Sequence, residues 1–253
     1  MKWRLINTGF NSGQYNMEYD MELVKGFISG SPKLRVYRWK PYCISLGANQ
    51  DYDSLNTRAA LQDNLDIVKR PTGGRAILHS EELTYSVVYP VSDVNSPKQI
   101  YRDINLALKN GLKNYNQILE DIELEHSQPY FPSFYKESKS TLCFSVSARN
   151  ELNYKGKKLV GSAQRKIGDV ILQHGSILCG NYHKNIVNYL NLPSNKIEEI
   201  KTEIDNTTTE LETIIGEKID YDRLAQALEL GFEDHFKVEF EEDNVDELIL
   251  QAN

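Results

Sequence analysis

Cysteine is scarce in this chain: three among 253 residues, Cys43, Cys143 and Cys179, an odd number with no CxxC pair among them. That scarcity argues against a disulfide framework and against cysteine-bound zinc, and leaves reduced thiols. Long apolar runs are missing as well. No stretch approaches the roughly 18 residues a membrane span needs, and Met1-Lys2-Trp3-Arg4-Leu5-Ile6-Asn7 turns polar too soon for a signal peptide, so the expected location is cytoplasmic. The five histidines fall at no metal-ligand spacing, and no metal is expected. There is no GxxxxGK[ST], no GxGxxG after a strand and no HExxH, which excludes a P-loop nucleotide site and a zincin mechanism. Lys/Arg blocks, Cys/His fingers and RNP-like aromatic motifs are also missing, so nucleic acid is not the expected partner.

What is present is a soluble globular composition, 40% hydrophobic and 26% charged, on a chain long enough for one large domain or a main domain with a small appendage. The net charge of -7 conceals a division: from Glu198 onward there are 18 acidic and 4 basic residues, which leaves 18 acidic and 25 basic before that point. A mildly basic body thus carries an acidic tail. The tail is either a solvated surface or a counterpart to a cationic face on the body that attracts an acidic macromolecule, acidic carrier proteins included.

Residues 3–8 are apolar enough for a strand, and a helix follows from Gln14 with Met17, Met21, Val24 and Phe27 at spacings of four and three. Residues 34–39 alternate with period two, predicting a strand with one polar face that Pro41 closes. Short strands are expected at 44–47 and 66–70 with a helix over 53–62 between them. Residues 75–79 and 83–89 read as a hairpin about the turn Ser80-Glu81-Glu82. Ser96-Pro97 predicts an N-cap with Pro at N1, opening a long helix whose apolar face runs from Ile100 to Tyr115. Residues 127–142 form a long Pro-, Ser- and Thr-bearing loop, and such loops are often functional. Three antiparallel strands are expected at 150–154, 158–164 and 170–178, and beyond Tyr182 helices, with a capping box at Thr207 and Glu210 and a stripe of Leu224, Leu228 and Phe232. The local, hairpin-like strands exclude a doubly wound sheet. The fold class is α+β with mixed or antiparallel sheets flanked by helices.

Two glycine-bearing segments stand out as places where backbone could approach a ligand: Arg70-Pro71-Thr72-Gly73-Gly74-Arg75 and Lys158-Leu159-Val160-Gly161-Ser162-Ala163-Gln164. The first is either a plain tight turn or a turn whose arginines meet a polar or anionic head group. Cys143 is either a small buried hydrophobe or a nucleophile, and the nucleophilic role needs a nearby cation that favours the thiolate. Lys158 is a candidate for that cation, or a surface charge. Cys43 and Cys179 read as core, and His79 and His174 as structural or site histidines.

Asn16-Met17-Glu18-Tyr19-Asp20, Tyr37-Arg38-Trp39, Ser45-Leu46-Gly47, the run from Lys69 to His79, the run from Lys158 to Gln164 and Gln173-His174-Gly175-Ser176-Ile177-Leu178 occur in the order found in the biotin/lipoate-protein ligase superfamily, which the chain resembles over about residues 1–195. Within it the chain looks most like the cysteine-dependent octanoyltransferases, and next like lipoate-protein ligase A. The resemblance implies a ligase-like catalytic domain over 1–195 and an acidic helical extension over 196–253 packed on it. Ligases usually carry three glycines in the glycine segment and an Asp-x-Gly-Asn stretch after the histidine, where this chain has Arg75 and Ser80-Glu81-Glu82-Leu83-Thr84. The residues after the match also leave too little room for a typical ligase accessory domain.

The resemblance further implies that Cys143 takes octanoyl from acyl carrier protein as a thioester and passes it to a lysine of a lipoyl-accepting protein, such as the glycine cleavage H protein or a dehydrogenase E2 lipoyl domain. Lys158 would support the thiolate or the oxyanion. Arg70, Gly73, Gly74, Arg75, His79, Gly161, Ser162, Ala163, Gln164, His174 and Gly175 would line the substrate. No cofactor is implied unless the alternative holds, an ATP- and Mg-dependent lipoate ligase. A non-catalytic lipoyl-domain binding module is a second alternative, against which Cys143 and Lys158 together argue.

Overall fold

The computed structural model describes residues 2–27, 31–92, 95–125 and 150–242, so Cys143 and the expected loop over 127–142 lie outside the described residues. In chain order the elements are β1 (Trp3–Asn11), α1 (Gly13–Lys25), β2 (Lys33–Trp39), β3 (Cys43–Leu46), α2 (Thr57–Gln62), β4 (Asp66–Lys69), β5 (Ile77–His79), β6 (Glu82–Pro90), α3 (Pro97–Tyr115), β7 (Ile122–Leu124), β8 (Leu152–Tyr154), β9 (Lys157–Ile167), β10 (Val170–Leu178), α4 (Ser194–Thr207), α5 (Leu211–Ile215), α6 (Tyr221–Phe236) and β11 (Phe240–Glu242). Eight strands form a main sheet in the order β11-β1-β2-β6-β10-β9-β8-β7, and β4-β3-β5 form a small one. The main sheet is mixed, with β1 parallel to β2 and β11 and the other pairs antiparallel. This is the α+β class the local strand pattern predicts.

The three consecutive strands are present as β8, β9 and β10, the first two joined by a tight turn in which Lys155 and Gly156 both take positive φ. Ser96 caps α3 by accepting from the Gln99 N–H, with Pro97 at the first helical position.

Four local readings are corrected. β2 does not expose a polar face: Arg35 is fully buried, because α1 lies across that face and supplies Asp20, 2.7 Å from the Arg35 guanidinium. The predicted hairpin does not form. β5 pairs with β3 in the small sheet, while β6 enters the main sheet between β2 and β10. The Ser80-Glu81-Glu82 segment is thus a crossover, pinned where the Glu81 carbonyl accepts the N–H groups of Cys179 and Gly180. The capping box is not made either: Thr207 ends α4 and its hydroxyl donates back to the Glu203 carbonyl at 2.7 Å. A helix that runs through to Thr207 leaves that residue no N-cap to fill. The helix expected over 53–62 is interrupted, a 3₁₀ turn at Tyr52–Ser54 preceding α2, which Asn56 caps.

α3 and α6 cover one face of the main sheet and build the largest core with Trp3, Val36, Tyr85 and Ile171; Leu224, Leu228 and Phe232 of the expected stripe are all buried in it. The two helices touch at glycine against glycine, and a Cβ on Gly231 would stand 2.2 Å from the Gly111 nitrogen. Gly→Ala inside a helix ordinarily stabilises by about 1 kcal/mol. Here Gly231→Ala is expected to destabilise by about 1–3 kcal/mol through overpacking. The check is a urea midpoint at unchanged slope; a midpoint that stays or rises would show that the helices part at no cost.

Candidate active site

The opposite face of the main sheet meets α1 and the small sheet, and between them lies a cavity. Its apolar wall is Met17 from α1, Tyr37 and Trp39 from β2 and Ile77 from β5; its polar wall is Arg70, His79, Thr84, Ser162, His174 and Ser176, with Gly161, Ala163 and Gly175 supplying bare backbone or a methyl. An apolar chamber with a few convergent polar groups is the usual form of a small-molecule site. Two glycines at the site are required by close approach: a Cβ on Gly175 would meet the Gly161 oxygen at 2.4 Å, and one on Gly47 would meet the Gly74 oxygen at 2.0 Å.

Both candidate histidines are buried and both are held at each ring nitrogen. His79 pairs Nε2 with Ser45 Oγ at 2.7 Å and Nδ1 with Glu82 Oε1 at 2.8 Å, and its ring stacks on Trp39 at 4.1 Å. The same Glu82 oxygen accepts the hydroxyls of Thr84 at 2.5 Å and Ser176 at 2.7 Å. Burial pushes the Glu82 carboxyl up, but His79 and the two hydroxyls outweigh it and hold it below the ordinary value, as an anion. His174 pairs Nε2 with Thr72 Oγ1 at 2.6 Å and Nδ1 with Asp20 at 3.2 Å. Burial, only partly opposed by Asp20, lowers its pKa and keeps the ring neutral. For Asp20 burial is again the largest influence, and Arg35, His174 and Ser86 overcome it to leave a carboxylate.

Arg70 organises the glycine turn. Its guanidinium donates to the carbonyls of Ser45, Gly73 and Arg75, so the turn before β5 is tied to β3 through one buried side chain. Gly74 takes φ +97°, a conformation that favours glycine. Gly74 and Arg75 line a neighbouring hollow with Asn49 and Gln50, beside the main cavity.

On the other wall Lys158 is buried, its Nζ 2.9 Å from Glu151 Oε2. The second Glu151 oxygen accepts the Ser162 N–H at 3.2 Å, so the ion pair is fastened to the cavity wall. A hydrogen-bonded line continues from Ser162 Oγ through Tyr85 and Gln173 to Gln164. Cys43 and Cys179 are buried, and burial pushes the Cys43 thiol well up and the Cys179 thiol up to about 12, so neither is a thiolate at neutral pH. Among the described residues no group of three His, Cys, Asp or Glu is placed to hold a metal, and no helix is long and apolar enough to cross a membrane.

Of the residues singled out in the sequence, Arg70, His79, Gly161, Ser162, Ala163, His174 and Gly175 meet at the cavity. Gly73, Gly74, Arg75 and Gln164 stand beside it, and Lys158 behind it in its ion pair. Sequence reasoning missed Glu82, which was assigned to a turn, and Glu151 and Ser176. It also left Met17, Tyr37, Trp39 and Thr84 without a role, although the period-two spacing of Tyr37 and Trp39 already put them on one face.

Comparison with known proteins agrees with this geometry. The family model for the lipoyl protein ligase A/B catalytic domain matches residues 12–233. The chain is 33% identical to an octanoyltransferase LipM of Clostridioides difficile, covering 95% of this chain and 89% of that one, and 32% identical to an octanoyltransferase LipM of Exiguobacterium, covering 94% and 88%. Among solved structures, it is similar to a lipoate-protein ligase A bound with ATP (TM-score 0.76, 19% identity, 100% and 94% coverage). It is also similar to a putative lipoate protein ligase of Thermoplasma acidophilum with bound lipoic acid (TM-score 0.77, 19% identity, 100% and 94% coverage). At that identity these structures speak to the fold alone.

Proposed function

The chain belongs to the lipoyl protein ligase A/B catalytic-domain family, and on that premise we propose that it is an octanoyltransferase of protein lipoylation that works through a thioester on Cys143. The observation that carries the reading is the match, at 33% identity and over 95% of the chain, to an octanoyltransferase. The apolar wall of Met17, Tyr37, Trp39 and Ile77 suits a short saturated acyl chain. Elimination supports the nucleophile, since the other two thiols are buried and protonated.

The chemistry balances without ATP. The Cys143 thiolate attacks the octanoyl carbonyl on acyl carrier protein; the new C–S bond replaces the old one, and the carrier leaves as its thiolate. Thioester exchanges for thioester with little change in free energy. A lysine amine of the lipoyl-accepting protein, such as the glycine cleavage H protein or an E2 lipoyl domain, then forms the amide and releases Cys143, and this downhill step sets the direction. Lys158 is the cation assigned to the thiolate or to the developing oxyanion. In this reading residues 1–195 are the acyl-transfer body and 196–253 its extension, whose α6 packs on α3. Intact-mass analysis after incubation with octanoyl carrier protein tests the whole: one octanoyl mass is expected with no ATP present, and strictly ATP-dependent acylation would hand the reading to a ligase.

Carrier recognition is expected to be electrostatic and to use the basic body. Raising ionic strength from about 0.01 M to 0.15 M shortens the Debye length from roughly 30 Å to 8 Å. Acylation by carrier protein should slow through association, while acylation by a small uncharged octanoyl thioester changes little. Equal salt sensitivity for the two donors would refute this and return the acidic tail to a solvated surface.

A further inference from the structure

Met17 borders two spaces. On one side it lines the cavity beside Tyr37 and Trp39; on the other it lines an open groove between the start of α1 and β4, together with Glu18, Ile67 and Val68. Met17, Tyr37, Trp39 and Cys43 form one buried cluster with Val68 packed against it, and Val68 is itself a groove residue. Met17 is therefore the residue common to the walls of cavity and groove. We propose that Met17 is the length gauge of the cavity, a specificity-determining residue that stops the ω-end of the acyl chain and, when shortened, lets unbranched saturated chains longer than octanoyl run on into the groove.

The proposal rests on the acyl-transfer reading above and names the wall that sets its substrate. Other walls are held by polar bonds whose loss would leave buried groups unsatisfied. Trp39 Nε1 donates to Thr84 at 2.7 Å, the Tyr37 hydroxyl donates to Asp20 at 3.2 Å, and both histidines are tied at each nitrogen. Met17 brings only a flexible thioether, which adapts to its neighbours and leaves nothing polar behind. The helix itself cannot close the gap in its place. A Cβ on Gly13 would already stand 2.6 Å from Cys43 Sγ and 2.9 Å from Val68 Cγ1, so α1 is in contact with the small sheet at its first turn. Beyond the Met17 wall Ile67 and Val68 offer apolar surface to a longer chain, beside the polar and charged Gln14, Glu18 and Lys69 that line the same groove.

The test measures acylation of the full chain by small-thiol thioesters of six to fourteen carbons, for the unaltered protein, Met17→Ala, Met17→Leu and Met17→Phe, with circular dichroism to establish folding. Each methylene moved from water to an apolar space is worth about fourfold, so Met17→Ala should raise the dodecanoyl-to-octanoyl rate ratio by about tenfold or more. Met17→Phe should lower the octanoyl-to-hexanoyl ratio, and Met17→Leu should keep both ratios. Should Met17→Ala not fold, the Phe variant decides. Ratios within about twofold of the unaltered protein in every folded variant would overturn the gauge. Binding of the matching free fatty acids, followed by Trp39 fluorescence, separates this failure from that of the acyl-transfer reading. An enzyme that gains no acyl mass but whose fatty-acid length preference moves with Met17 keeps the gauge and loses the chemistry.

Discussion

Replacing Cys143 with alanine is expected to abolish the octanoyl adduct and to lower transfer by at least about a thousandfold, the scale on which an enzyme loses its nucleophile. The physical argument is one of accessible thiolate. Among the described cysteines, Cys43 packs behind Met17 and Cys179 lies at the end of β10, and the low dielectric around each favours the neutral thiol. An acyl chain seated in the cavity therefore has no second thiol able to take over. Cys143→Ser sharpens the result, because an alkoxide is far harder to form than a thiolate at neutral pH and the smaller change keeps the polarity of the position. Transfer is measured on the acceptor by intact mass, alongside the mass of the enzyme itself. Near-normal transfer by Cys143→Ala would end the thioester mechanism, and retained transfer that needs ATP would identify adenylate chemistry in its place.

Much of the cavity was legible in the sequence because its walls are backbone features with a compositional mark. Gly175 and Gly47 sit where any Cβ would collide, and glycines at such places show in the sequence as small residues inside strand patterns. The strand order was less legible. Nothing local distinguishes a hairpin between β5 and β6 from a crossover between two sheets: both need apolar runs on either side of a short polar segment. The difference is made by Cys179 and Gly180, a hundred residues away, whose N–H groups take the Glu81 carbonyl. Buried charge hid for the same reason. Arg35 and Glu82 read as solvent-facing by type, and each is buried because a distant element supplies its partner, Asp20 from α1 for the one and Ser176 from β10, beside the nearby His79, for the other. Lys158 was found by its motif, but its partner Glu151 carries no signal beyond its position one residue before β8.

That partner changes what Lys158→Ala is expected to do. In a surface pair the loss of one member costs a few tenths of a kcal/mol to about 1 kcal/mol, but Lys158 and Glu151 are each almost wholly buried, and truncating one side of such a pair costs about 3–5 kcal/mol because the other charge stays behind. Lys158→Ala should therefore unfold at markedly lower denaturant, and Lys158→Ala combined with Glu151→Gln should recover part of the loss, since no buried anion then remains. The same pair makes a prediction about chemistry that stability cannot imitate. With Lys158 assigned to the thiolate, removing the cation and keeping the anion should move alkylation of Cys143 to higher pH, while Glu151→Gln, which keeps the cation and removes the anion, should move it to lower pH. A merely structural pair would lower stability in both single variants and leave both alkylation profiles in place. The opposite displacement of the two profiles, measured by iodoacetamide labelling across pH under conditions where all variants are folded, is the signature of Lys158 acting on the nucleophile; two unmoved profiles would reduce the pair to a brace for the Ser162 wall.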